Sequence, residues 1–316
     1  MINRRNLIKS GLLLAPVFIP LSSLKSANNP HVVIVGAGWG GLSAAKALRY
    51  LNKSVQITII DKQKEFISCP ISNWVIGQVK NMQDITFSYS TFVKNNRINF
   101  ISEEVINIDV DKRIVKLKNS KVMYDKLILS PGIELEYENI LGLKNALNSN
   151  FVFTAWKAGK ETKLFSDQIK KIKDDDNIII SIPLSPYRCP PGPYERASLI
   201  ASYIKKNKLK SKVLILDANQ KIISKGKLFS KAWNELYPDI IDYRADNNVI
   251  KIDVEKKLVY TEFDEFKFDL ANIIPKQTAS NLLKNAGLIK KQKSWASVNP
   301  YDFSSKFSNN VYIIGD

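Results

Sequence analysis

The stretch His31-Val32-Val33-Ile34-Val35-Gly36-Ala37-Gly38-Trp39-Gly40-Gly41 decides the fold. The short apolar run is long enough for a strand buried in a parallel sheet, and it passes straight into G-x-G-x-x-G. Residues 42–48 are Ala-rich, with helical composition. A second apolar run, residues 55–60, ends on Asp61. A bound dinucleotide needs this order: Gly36 makes the tight turn, Gly38 lets the backbone approach a pyrophosphate, and Gly41 lets the helix pack closely. The helix N-terminus then holds the anion, and a carboxylate about 20 residues on binds the ribose hydroxyls. Asp61 stands where that carboxylate is required. His31, at the strand start, reads as structural.

Working outward, residues 98–101, 105–110 and 114–117 read as a β-meander. It returns to a buried strand over residues 124–129 that ends in Ser130-Pro131-Gly132. The last six residues, Val311-Tyr312-Ile313-Ile314-Gly315-Asp316, read as another buried strand closing on Gly-Asp. This order is that of flavoproteins with two dinucleotide domains, in which the closing Asp holds the ribityl chain. FAD is therefore the expected dinucleotide, with Gly36, Gly38, Gly41, Asp61, Val105, Ser130, Gly132 and Asp316 as its contacts.

The middle of the chain reads as a second Rossmann-like unit, with strands over residues 177–182 and 212–216, the latter ending in Asp217. Between them lies Pro183-Leu184-Ser185-Pro186-Tyr187-Arg188-Cys189-Pro190-Pro191-Gly192-Pro193-Tyr194-Glu195-Arg196. Proline lacks an N–H and fixes the backbone, so this loop cannot cradle a pyrophosphate with consecutive amides. It presents a thiol instead. The expected fold class is α/β with two Rossmann-like domains, an FAD domain with a β-meander and an inserted NAD-type domain that has lost its glycine fingerprint. Its expected divisions are residues 1–27, a leader; 28–140, the first FAD-domain segment; 141–285, the insert; and 286–316, the second FAD-domain segment.

Composition narrows the function classes. The chain has 316 residues, 45% apolar, with one His and two Cys, which excludes a disulfide scaffold, a His-rich metal centre and a four-thiolate cluster. The net charge is +17, but lysine is scattered rather than clustered, which argues against a nucleic-acid groove. Residues 1–27 carry Arg4-Arg5, an apolar run shorter than a membrane span and then small residues. They read as an export signal of twin-arginine type, without a transmembrane segment. An ordinary secretory signal is the plainer alternative. Either address implies the periplasm, where both thiols are under pressure to react or pair.

Cys189-Pro-Pro-Gly-Pro-Tyr-Glu-Arg-Ala197, the upstream Ala155-Trp156-Lys157-Ala158-Gly159, and Ser68-Cys69-Pro70 with Ser72-Asn73 and Val75-Ile76-Gly77 carry a resemblance. Together they resemble the flavoprotein subunit of flavocytochrome c sulfide dehydrogenase, a relative of the sulfide:quinone oxidoreductases. The resemblance implies FAD bound covalently through Cys69, no NAD, and Cys189 as the redox cysteine that meets sulfide. It also implies Glu195 as a proton acceptor beside the flavin. A free Cys69, a Cys69–Cys189 pair and a Glu195–Arg196 surface ion pair are the plainer alternatives. Electrons would leave to a c-type, di-haem cytochrome subunit. No C-x-x-C-H occurs here, so haem c would belong to that partner. A sulfide:quinone oxidoreductase, or a non-catalytic flavin-binding remnant, is the competing reading.

The sequence departs from this pattern in two places. Members of the resembled family run about a hundred residues past Gly-Asp and there supply a second redox cysteine. No cysteine follows Cys189 here, so a fragment is the expectation. Gln78 also stands where a second glycine after Gly77 is expected.

Overall fold

The computed structural model describes residues 29–316, and the leader read over residues 1–27 lies outside the described residues. The quoted stretch folds as the strand His31–Val35, a glycine turn and the helix Trp39–Leu51. The strand lies inside a six-stranded sheet in the order Ser304–Ser305, Ser308–Ile313, Lys126–Leu129, His31–Val35, Gln56–Ile60, Asn99–Ile101. Every neighbour is parallel except the short Ser304–Ser305 edge. Alternation puts Val32, Ile34, Ile57 and Ile59 on one face with Ala45 of the helix. Val33, Val35, Leu127 and Leu129 face the other way, onto Ile108, Val115 and Leu117. Those last three belong to an antiparallel sheet, Val105–Asp109, Ile114–Leu117 and Lys121–Met123. The meander is therefore one strand later than the sequence suggests. Residues 98–101 join the parallel edge instead, because their register with Thr58, Ile59 and Ile60 continues the main sheet.

The insert repeats this plan. Its five strands are all parallel, in the order Val152–Phe153, Leu270–Ile273, Asn177–Ile182, Lys212–Asp217, Ile241–Arg244. The helices Lys160–Ile169 and Gly192–Lys206 cover one face through Phe165, Ile169, Tyr194 and Ile200. The antiparallel strands Val249–Asp253, Leu258–Thr261 and Glu265–Lys267 cover the other through Val249, Ile252 and Val259. Both halves are thus parallel sheets between helices and a three-stranded flap, the α/β arrangement expected of paired Rossmann-like units.

The chain crosses between the halves on one antiparallel pair, Ile133–Leu135 with Gln277–Ala279. The return falls at 277 rather than at 285. The helix Asn281–Asn285 drives Leu283 into the first half's core beside Ile108 and Leu127, so residues 277–285 belong there. One short helix of the first half, Ser72–Ile76, is in turn packed against the helices Lys160–Ile169 and Gly192–Lys206 of the insert. A Cβ on Gly77 would lie 2.6 Å from Leu199 Cβ, which fixes how closely that helix approaches. Gln78, where glycine is expected, does take a left-handed φ of 61°. Its amide Nε2 compensates by donating to Ser166 O and Ser166 Oγ at 2.8 and 2.9 Å. Among the described residues no helix is long and apolar enough to cross a membrane.

Candidate functional site

The parallel strands of the first half end at a cleft of about 460 Å³. Gly36, Asp61, Val105 and Gly132, all proposed from the sequence as cofactor contacts, line it together with Arg188. Gly36 has φ +99°, and a Cβ there would sit 2.1 Å from Ser130 O. Gly41 is equally constrained, since its Cβ would meet Gly36 O at 1.9 Å. Gly38 is different: a Cβ there would meet nothing within 4 Å, although it caps the helix Trp39–Leu51. Two glycines are thus required by the protein, and the third leaves open space at a helix N-terminus, where a pyrophosphate needs it. Asp61 accepts the Ala37 N–H at 2.6 Å, and Tyr89 O–H donates to Ala37 O at 3.3 Å, so the turn is held from both sides.

Ser130 and Asp316 are brought to the same place by register. The strand Ser308–Ile313 lies beside Lys126–Leu129, and Ile314 N–H donates to Leu129 O at 2.9 Å. Ser130 Oγ then fits between Gly40 and Gly315, and a Cβ on those glycines would lie 2.6 and 2.9 Å from it. This turns the Asp316 carboxylate toward the insert, where Arg188 Nε is 3.6 Å away. His31 stands at the other end of its strand with its ring bonded to Thr58 Oγ1 at 2.8 Å, a structural role as expected.

The proline loop of the insert completes the site. Cys189 is exposed and has φ 56°, a left-handed conformation that a non-glycine residue adopts only when its surroundings impose it. Gly192 imposes it: its N–H donates to Cys189 O at 2.8 Å. A Cβ on Gly192 would lie 3.1 Å from Cys189 Sγ and 2.9 Å from the Trp156 ring. Protein packed around the thiol pushes Cys189 above the ordinary thiol range, Glu195 adds repulsion, and Arg188 opposes both. Cys69 lies on the facing segment, half-buried, with Arg188 Nη2 at 3.3 Å and Trp156 O at 3.7 Å.

Glu195 sits in the first turn of the helix Gly192–Lys206, where the helix dipole favours a carboxylate. It does not pair with Arg196. Its Oε2 accepts from Asn73 Nδ2 at 2.8 Å, and the same amide nitrogen donates to Gly192 O at 3.0 Å. Arg196 points the other way and is 1% exposed. Its Nε donates to Asn73 Oδ1 at 2.9 Å, Nη1 to Asn272 Oδ1 at 2.7 Å and Nη2 to Ala155 O at 2.8 Å. Its guanidinium carbon lies 5.0 Å from the centre of the Trp156 ring. Burial lowers Arg196 to about 10, still far above neutrality. The surface ion pair offered as the plain reading of Glu195 is therefore absent, because the helix periodicity turns neighbouring side chains about 100° apart.

Asn73, Trp156, Arg188 and Arg196 are parts of the site that motif reasoning left without a role. Asn73, Trp156 and Arg196 fall inside the stretches carrying the resemblance, and Arg188 lies in the proline loop just before Cys189. Two further buried atoms there, Ser68 Oγ beside Cys69 and Trp156 Nε1, have no hydrogen-bond partner among the described residues. Such groups mark where a ligand atom is expected. Among the described residues no group of three metal-ligating side chains occurs.

Comparisons with known proteins fit this geometry. Residues 30–177 match the family "Pyridine nucleotide-disulphide oxidoreductase", and residues 162–275 match "Sulfide dehydrogenase [flavocytochrome c] flavoprotein chain, central". The chain is 25% identical over 304 residues to the mitochondrial sulfide:quinone oxidoreductase of Dictyostelium discoideum, covering 92% of this chain and 66% of that protein. It is 26% identical to a coenzyme A disulfide reductase of Staphylococcus aureus over 301 residues, 91% of this chain and 63% of the relative. The chain therefore spans just under two thirds of the length of these relatives. Among solved structures, the sulfide:quinone oxidoreductase of Aquifex aeolicus superposes with a TM-score of 0.79 at 20% identity, covering 90% of this chain and 68% of that one. At that identity the likeness shows the fold. The two family matches together run from residue 30 to 275 and make the chain similar to FAD/NAD(P)-disulfide oxidoreductases, with a sulfide-related central part.

Proposed function

We propose that the protein is the flavoprotein part of a periplasmic sulfide dehydrogenase, which oxidises sulfide at Cys189 and passes electrons through FAD to a c-type cytochrome subunit. The observation that carries this reading is the meeting of the Cys189 loop with the glycine cleft, bridged by Arg188 between Cys69 and Asp316. FAD fits the residues present. Gly36, Gly38 and Gly41 would shape its pyrophosphate seat, Asp61 and Asp316 would offer carboxylates to its hydroxyls, and Cys69 is the thiol this reading assigns to a thioether. When bound, FAD supplies a two-electron acceptor beside the thiols.

The chain's own groups do the rest. Cys189 stands exposed on its loop, and hydrosulfide that forms a sulfur–sulfur bond to it gives a persulfide, releasing one proton and two electrons (Cys–SH + HS⁻ → Cys–SSH + H⁺ + 2e⁻) for which FAD is the acceptor. Glu195, held by Asn73, is the carboxylate at hand for that proton. NAD has no part in this reading, and two features of the insert support its absence. The turn before the helix Gly192–Lys206 carries prolines in place of amides. Asp217, placed like a ribose-binding acid, is instead fully buried and bonded to Tyr194 and Tyr243 hydroxyls at 2.7 and 3.0 Å.

Anaerobic addition of sulfide to the flavin-loaded protein tests the reading. Flavin absorbance is expected to bleach, and Cys189→Ser is expected to abolish bleaching without loss of flavin. Intact flavin colour in the presence of excess sulfide would discard it. Faster reoxidation by a quinone analogue than by cytochrome c would move the protein to the sulfide:quinone oxidoreductase reading, which the curated relatives favour.

A further inference from the structure

Arg188 precedes the thiol loop's cysteine, and its side chain is 14% exposed. Its backbone N–H donates to Gln277 Oε1 at 2.9 Å. Its Nη2 donates to Trp156 O and to Cys69 Sγ, and its guanidinium carbon lies 5.9 Å from the centre of the Trp156 ring. The ion pair with Asp316 is 3.6 Å long, beyond hydrogen-bonding distance, and that carboxylate is half exposed. Such a contact neutralises little of the guanidinium charge. Arg188 Nη1 has no acceptor among the described residues, and the side chain lines the cleft.

Two residues in contact with it carry buried donors that lack a partner. Trp156 Nε1 and Gln277 Nε2 have no partner among the described residues, although Trp156 is 4% and Gln277 1% exposed. The Gln277 amide is oriented by the Arg188 N–H that its oxygen accepts, so its nitrogen is the orphan. A buried donor left unmatched loses its hydrogen bond to water without replacement. Two buried donors without an acceptor, on residues that contact a weakly paired guanidinium, therefore point to an acceptor that carries negative charge.

We propose that Arg188 is the anion-receiving residue of this site, drawing an anionic sulfur nucleophile such as hydrosulfide to the Cys189 loop. The proposal rests on the sulfide-oxidation reading and adds to it the residue that selects the anion. The other charged groups facing Cys189 do not serve. Glu195 repels an anion, and Arg196 has its donors engaged by Asn73, Asn272 and backbone carbonyls. A planar fork with one free edge suits the task better than a lysine ammonium.

The test uses the flavin-loaded full chain and two alkylating probes, anionic iodoacetate and neutral iodoacetamide, with modification of Cys189 followed by peptide mass spectrometry. Arg188→Gln is expected to lower the iodoacetate-to-iodoacetamide rate ratio about fivefold, with Arg188→Lys recovering part of it. The KM for sulfide should rise in Arg188→Gln while kcat changes little. An unchanged ratio in both variants overturns the proposal, and if flavin content falls at the same time, Arg188 serves the cofactor instead. A ratio that falls in a protein whose flavin sulfide does not bleach upholds the anion site and removes the sulfide-oxidation reading alone.

Discussion

Glu195 and Arg188 act on the Cys189 thiol with opposite sign, and this makes the pH response of the thiol separable by mutation. The protein packed around the sulfur and the Glu195 carboxylate both raise the thiol, because each disfavours the thiolate, while Arg188 lowers it. Glu195→Gln removes the repulsion and keeps the hydrogen bond that Asn73 Nδ2 can still give to an amide oxygen. The midpoint of Cys189 alkylation by neutral iodoacetamide is therefore expected to fall. Sulfide oxidation should slow in the same variant if Glu195 takes the proton. An unmoved midpoint would show that Glu195 is too well screened to act on the thiol.

At the scale of the element, the glycine turn divides into protein-required and ligand-required positions. Gly41→Ala forces a methyl group against Gly36 O and is expected to cost about 3 kcal/mol or more, read as a lower denaturation midpoint. Gly38→Ala meets no protein atom, and its backbone at φ −77° is open to alanine. Stability without flavin should stay within about 1 kcal/mol of the parent. Flavin bound per chain after reconstitution should drop about tenfold at limiting flavin, corresponding to roughly 1.4 kcal/mol. Equal flavin content in parent and Gly38→Ala would mean that the pyrophosphate does not approach this turn. The same contrast shows what the sequence could carry. Strand, glycines, helix, strand and acid are local in the chain, so residues 31–61 were legible from periodicity and turn chemistry alone. The Asn73–Arg196–Asn272 network was not, because its members are 76–199 positions apart across the pairs and meet only when both sheets are formed. The division expected after residue 285 falls earlier for a related reason: residues 277–285 carry no breaker, and the burial of Ala279 and Leu283 in the first half's core shows which half they serve.

For the whole molecule, the two halves are joined by more than the crossing strands Ile133–Leu135 and Gln277–Ala279. The helix Ser72–Ile76 is lent by the first half to the insert, burying Ile76 with Phe165 and Ala197. Arg196 fastens the loan, bonding Asn73 of that helix to Asn272 and Ala155 of the insert. Cys69 and Glu195 keep their relation to each other through this joint, so the geometry of the chemistry depends on it. Arg196→Met removes a charge but retains much of the volume. It leaves Asn73 Oδ1, Asn272 Oδ1 and the Ala155 carbonyl without their donor in a site closed to water. The expected loss is about 3 kcal/mol or more, since each buried acceptor left without its donor costs about 1–3 kcal/mol. Calorimetry should then show the single transition of the parent lowered and broadened toward two, as the halves uncouple. Cys189 alkylation should also become faster, because the loop that Asn73 ties through Gly192 O is released. A midpoint within 1 °C of the parent, with unchanged thiol reactivity, would place the joint in apolar packing around Ile76 and leave Arg196 a bystander to it.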